Sequence, residues 1–149
     1  MSKMIIYTDG GARGNPGPAG IGVVILNDNN DIMREYCEYI GQTTNNQAEY
    51  LAVVKAFDLI RAYEIENNVS VDSLEFFLDS ELVVRQLNGE YRVKNKDLGV
   101  LFVKIHNARA GYENVTFKHI PREKNKEADR LVNKAIDDEL NSHKKPCLI

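Results

Sequence analysis

At 149 residues, with 43% hydrophobic and 28% charged side chains, the chain fits one globular domain with a sizeable core. No apolar run reaches the ~20 residues of a membrane-spanning helix, and a net charge of −3 excludes a uniformly basic protein. The charge is segregated, however: residues 1–84 hold five Lys/Arg against thirteen Asp/Glu, while 85–134 hold twelve against six. Such a basic block is either the footprint of a phosphate-binding surface or a set of solvated helix faces.

In chain order, Met4-Ile5-Ile6 opens a strand over 5–8 that is expected to end at Asp9. Gly10, Gly11, Gly14, Pro16 and Gly17 then mark a turn. Strands follow at 20–27 and 32–40, separated by Asp28-Asn29-Asn30-Asp31, giving an antiparallel meander. Thr43-Thr44-Asn45-Asn46 supplies helix-capping residues, and Ala48, Ala52, Ala56, Leu59 and Tyr63 recur at helical spacing up to Asn67-Asn68. Leu74, Phe76 and Leu78 alternate into Asp79, a fourth strand reached by a crossover and therefore parallel to an earlier one. Ser80 caps a short helix that Gly89 ends, and Asn95 or Asp97 caps the next, which carries Leu98, Leu101, Phe102 and Ile105. A fifth strand spans 115–120, and a last helix after Pro121 buries Ala128, Leu131, Val132 and Ala135. The order is β-β-β-α-β-α-α-β-α: an α/β fold whose five-stranded mixed sheet has three antiparallel strands, then two parallel ones, with flanking helices. Residues 1–140 are expected to form a single domain and 141–149 a loose polar tail.

Cys37 and Cys147 lack CxxC spacing, so neither a metal knuckle nor a disulfide is expected, and Cys147 stands one position off a prenylation box. The start Met1-Ser2-Lys3-Met4 has no signal-peptide core, which predicts a cytoplasmic protein whose sequons at Asn68 and Asn114 go unused.

Parallel neighbouring strands would bring Asp9 and Asp79 to the same sheet edge. Glu49, in the first turn of its helix, can lean over that edge, and Asp129 lies near the start of the last helix. Each acid alone reads as a surface charge, and Asp9-Gly10-Gly11 alone as a capped hairpin turn. Together they would repel and raise one another's pKa values unless divalent cations intervene, and all-oxygen ligands favour Mg²⁺ or Mn²⁺. Sites of this kind hold two ions that clamp a phosphodiester.

Asp9 with Gly-Gly-x-x-Gly-Asn-Pro-Gly, Thr44-Asn45-Asn46-Gln47-Ala48-Glu49, Asp79-Ser80 and Asn125-x-x-x-Asp129 together resemble the type I ribonuclease H family over roughly residues 4–140. The resemblance implies the ribonuclease H fold and Mg²⁺-dependent cleavage of the RNA strand of RNA–DNA hybrids, leaving 5′-phosphate and 3′-hydroxyl ends. It implies that Asp9, Glu49, Asp79 and Asp129 are the metal-binding catalytic acids, with Mn²⁺ as a substitute metal and two ions per site. Gly10 and Gly11 would offer bare backbone beside the substrate. Asn15, Asn45 and Asn46, assisted by Gln47, match residues that contact the hybrid's minor groove, where 2′-hydroxyls distinguish RNA from DNA. For Asn45, turn and cap chemistry is an equal reading. Thr44 and Asn95 match a pocket for a DNA-strand phosphate whose usual Arg falls near Gln42. His119 or Arg122 is the candidate for assisting the leaving group, His119 from within a strand and Arg122 from the loop after it.

The chain has no Trp, and the segment 88–96 is shorter than the basic protrusion of some relatives, with Arg92, Lys94 and Lys96 as its basic residues. The implied protein is a monomer with an RNA–DNA hybrid substrate, no membrane association and no obligate protein partner. Two other readings stay open: a nuclease of this fold that also cuts duplex RNA, and a non-catalytic hybrid-binding module.

Overall fold

The computed structural model describes residues 2–144. Strands β1 (Lys3–Ala12), β2 (Gly17–Leu26) and β3 (Ile32–Thr43) form the expected antiparallel meander. Helix α1 (Asn45–Asn67) crosses to β4 (Ser73–Leu78), which runs parallel to β1. Helices α2 (Glu81–Leu87) and α3 (Lys96–Arg109) lead to β5 (Asn114–His119), parallel to β4. After a 3-10 turn at Arg122–Lys124 comes α4 (Lys126–Lys144). The sheet order is β3-β2-β1-β4-β5, so β1 is central and each long helix packs beside it.

Strand alternation and glycine placement decide how closely the helices approach. Gly10 faces α1, where a Cβ would lie 2.2 Å from the Ala48 carbonyl carbon. Gly22, directly across from Asp9 in the β1–β2 pairing, faces α4, where a Cβ would lie 2.3 Å from the Ala128 oxygen. The sheet is thus sandwiched, with α1 on one face and α4 on the other. On the α1 face Ile6, Val23, Tyr50, Val53, Ile60 and Phe76 are buried together with α2 and α3, a core wider than the Ala stripe of the helix alone.

The caps follow side-chain chemistry. Thr44 Oγ1 accepts from Gln47 N at the start of α1, Ser80 Oγ accepts from Val83 N at α2, and Asn95, rather than Asp97, caps α3 by accepting from Leu98 N. Asn68 closes α1 in the left-handed region at φ 52°.

Four boundaries differ from expectation. β1 does not end at Asp9 but continues through Gly10, Gly11 and Ala12, which pair with Ile21, Gly20 and Ala19. The turn is displaced to 13–16, β2 begins at Gly17, and β3 runs on to Thr43 to keep pace with it. β1–β4 pairing nevertheless stops at Tyr7–Phe77, so Asp9 lies where its parallel neighbour has just ended. Finally, α4 runs through 141–144, where a loose tail was expected, because no Gly or Pro interrupts it before Pro146. The rest of the expected tail, with Cys147, lies outside the described residues. No helix among the described residues is long and apolar enough to cross a membrane.

Candidate active site

The close approach of α1 to β1 at Gly10 is what brings two carboxylates together. Gly10 N donates to Glu49 Oε1 at 3.2 Å, which holds Glu49 against its neighbour Asp9. Asp79 follows the last residue of β4, the parallel neighbour of β1. Carboxylate oxygens of Asp9, Glu49 and Asp79 all lie within 4.8 Å of one another. Asp129, in the first turn of α4, stands outside that group of three but on the wall of the same cavity, whose volume is about 550 Å³.

Asp9 and Glu49 are only 6% exposed each, and burial dominates their electrostatics. It pushes the Asp9 carboxyl up to about 7, with the charges of Asp79 and Asp129 adding to the rise and a hydrogen bond with Glu49 opposing it. Burial, followed by the charge of Asp9, raises Glu49 well above the usual carboxylate range. Asp79 is raised by burial, against the pull of a hydrogen bond from Asn125 and the positive charge of Arg122. Glu49 Oε2 is buried without a hydrogen-bond partner among the described residues. An oxygen-only ligand set of this kind, short of hydrogen-bond donors from the described residues, fits a hard divalent cation.

Asn125 was absent from the expected site residues. It is 1% exposed, and its Nδ2 donates to both Thr8 O at 2.9 Å and Asp79 Oδ2 at 3.1 Å. It thereby ties Asp79 to the β1 backbone. Its spacing to Asp129 was visible in the sequence, but an Asn just before a helix reads as a cap, and this one does different work.

The expected substrate-contacting residues divide into groups. Asn15 Oδ1 accepts from Asn45 N at 3.0 Å, and Asn45 Oδ1 accepts from Ala12 N at 2.8 Å. These bonds fasten the β1–β2 turn to the start of α1 and leave both amide nitrogens without a protein partner among the described residues. Asn45 and Asn46 line the cavity with Gly10 and Gly11, whereas Asn15 is not part of its wall. Gln47 is engaged at both ends, accepting from Thr43 Oγ1 at 2.5 Å and donating to Asp97 Oδ2 at 3.3 Å, and so braces α1 against α3. Thr44 and Asn95 use their side-chain oxygens as helix caps. Arg122 lines the cavity, with Nη2 3.5 Å from Asp129 Oδ1. His119, the last residue of β5, is exposed rather than packed and favours ionised Asp79 through its charge. Arg92 and Lys94, between α2 and α3, and Lys96, the first residue of α3, are exposed.

With this geometry in place, comparisons with known proteins are specific. A family model described as reverse transcriptase-like matches residues 7–135. Ribonuclease HI of Halobacterium salinarum is 39% identical over 132 residues, covering 89% of this chain and 63% of its own. A bifunctional protein of Mycobacterium tuberculosis is 37% identical over 138 residues, 91% of this chain, and this chain spans 36% of that protein's length. The crystal structure of LC11-RNase H1 in complex with an RNA/DNA hybrid superposes with a TM-score of 0.86 at 48% identity, covering 92% of this chain and 99% of that one. The chain belongs to the type 1 ribonuclease H family.

Proposed function

We propose that this chain is an endoribonuclease that hydrolyses the RNA strand of RNA–DNA hybrids, leaving 5′-phosphate and 3′-hydroxyl ends. The observation that carries the reading is the carboxylate group of Asp9, Glu49 and Asp79, two of them buried and one half-buried, together with a Glu49 Oε2 that has no hydrogen-bond partner among the described residues. A binding module has no use for three acids whose ionisation is opposed by burial and by one another. The hybrid seen with LC11-RNase H1 supports the choice of substrate.

Asp9, Glu49, Asp79 and Asp129 would hold two Mg²⁺ ions, with Mn²⁺ as a substitute. When bound, such ions activate the attacking water, polarise the phosphate and stabilise the leaving 3′-oxygen. The protein's own contribution is orientation. Gly10 N fixes Glu49, Asn125 fixes Asp79, and the β-sheet fixes Asp9, so the oxygens need little rearrangement. The amide nitrogens of Asn15 and Asn45, without protein partners among the described residues, would with Asn46 supply donors for 2′-hydroxyls on the RNA strand. Thr44 and Asn95, at two helix starts, would face a phosphate of the DNA strand, and Gln47 would hold those helices in register. Arg122, on the cavity wall, and His119, exposed at the end of β5, would assist departure of the 3′-oxygen. The protein would act as a cytoplasmic monomer.

The test is a substrate panel of end-labelled RNA–DNA hybrid, duplex RNA, single-stranded RNA and duplex DNA, each with Mg²⁺, Mn²⁺ or EDTA. Metal-dependent cutting confined to the hybrid's RNA strand is the expected result. Cutting of duplex RNA as well would establish a broader nuclease, and binding without cutting under either metal would establish a hybrid-binding module.

A further inference from the structure

The wall of the acidic cavity also carries positive charge. Besides Arg122 it includes Arg13, from the turn after β1 and one of only five basic residues among 1–84. Arg13 is held in a clamp: Nη1 donates to Asp137 Oδ1 at 2.6 Å and Nη2 to Asn133 Oδ1 at 3.2 Å. Asn133 is itself anchored, its Nδ2 donating to Asp129 O at 3.1 Å. Asn133 and Asp137 lie four and eight residues beyond Asp129 on α4, roughly 6–12 Å along the helix, so the Arg13 clamp is one to two turns along α4 from the residue that Arg122 pairs with.

The clamp is not needed to shape the turn. Arg13 N already donates to Pro18 O at 2.8 Å, and the Asn15–Asn45–Ala12 bonds pin the loop to α1. Nor does it contribute much to stability, since the Arg13 and Asp137 side chains are 40% and 54% exposed, and such pairs are worth little. It does hold a planar guanidinium, three of whose five donors have no protein partner among the described residues, on the wall of a cavity that must admit a polyanion past several carboxylates.

We propose that Arg13, oriented by Asp137 and Asn133, contacts a phosphodiester flanking the scissile one on the strand that enters the cavity. This rests on the nucleic-acid reading above. A fixed fork binds phosphate without having to be ordered at the moment of binding, so the clamp acts as preorganisation.

Binding of a fluorescent RNA–DNA hybrid by anisotropy, in the Asp9→Asn background with Mg²⁺ between 50 and 200 mM salt, tests this. Arg13→Ala should weaken binding about tenfold at the lowest salt, the size of one charge-assisted contact. It should also flatten the slope of log affinity against log salt by about 0.7–0.9, one phosphate contact. Arg13→Lys should keep the parent's slope but bind more weakly, because it retains the charge and loses the fork. Asp137→Asn should weaken binding without changing the slope. An Arg13→Ala protein with the parent's affinity and slope would overturn the proposal, as would an affinity loss matched by a comparable loss of folded protein in a thermal melt. If the wild-type chain binds hybrid with this Arg13 signature but never cuts it, the catalytic reading fails and the phosphate contact stands.

Discussion

Helix α1 carries a buried glutamate near each end, and the two differ in one respect. Glu49 is 6% exposed and Glu64 7%. Each accepts a backbone N–H from outside its helix, Gly10 N in one case and Val71 N at 2.9 Å in the other. Glu64 then finds a second donor: its Oε1 takes the Tyr112 hydroxyl at 2.8 Å, and Arg61 stands 3.9 Å away. Glu49 has no such donor on Oε2 among the described residues and faces Asp9 and Asp79 instead. A buried carboxylate whose protein supplies every donor is part of the fold, whereas one left short among other carboxylates is prepared for something that arrives.

The largest effect expected from breaking this contrast is on catalysis. Asp9→Asn or Asp79→Asn should lower turnover by about 10³-fold or more, several kcal/mol of lost transition-state stabilisation, while hybrid binding persists in a gel-shift measurement. Next comes the residue that orients Asp79. Asn125→Ala should cost roughly 10–100-fold in activity or in the Mg²⁺ concentration needed for half activity, read from a metal titration of the rate. At the other end of α1, Glu64→Ala should leave activity per folded molecule unchanged and destabilise by about 1–3 kcal/mol in urea unfolding, because the Tyr112 hydroxyl and Val71 N–H lose their acceptor.

The pH dependence sharpens the same contrast. Asp9 has a carboxyl raised from 3.8 to about 7 in the folded protein. The folded state therefore binds this proton more tightly than the unfolded state does. The resulting stability is fully present below about pH 4 and is lost as pH rises through about 7. Thermal melts of metal-free protein should show this decline, and added Mg²⁺ should reduce it, since a bound cation stabilises the ionised form. Melts in which Mg²⁺ leaves the decline untouched would separate the carboxylates from metal binding. The smallest effects should come from Arg122→Ala and His119→Ala, each a few-fold in rate, read from steady-state cleavage of the hybrid.

Local signals in the sequence were enough for the strand and helix order. Alternation around Leu74, Phe76 and Leu78, helical spacing through Ala48, Ala52 and Ala56, and the caps at Thr44 and Ser80 each depend on residues within a turn of one another. The neighbouring positions of Asp9 and Asp79 followed from a single inference, that a helix between two strands makes them parallel. The end of β1 was not legible, because Gly10 and Gly11 are turn residues by local chemistry and become strand only by pairing with Ile21 and Gly20. Nor was the work of Asn125, whose two acceptors are 117 and 46 residues away in the chain. Asp129 could be placed at the cavity, but its standing apart from the other three acids depends on how α4 crosses the sheet.

Single-turnover cleavage of a labelled RNA–DNA hybrid in Mg²⁺, comparing wild type, Glu49→Gln and Glu64→Gln at equal folded concentration, tests the central claim most directly. Wild type and Glu64→Gln should cut the RNA strand at similar rates, while Glu49→Gln should be inert. Wild-type rates in Glu49→Gln, or equal losses in both variants, would contradict the assignment of the Asp9–Glu49–Asp79 cavity as the place where the chain does its chemistry.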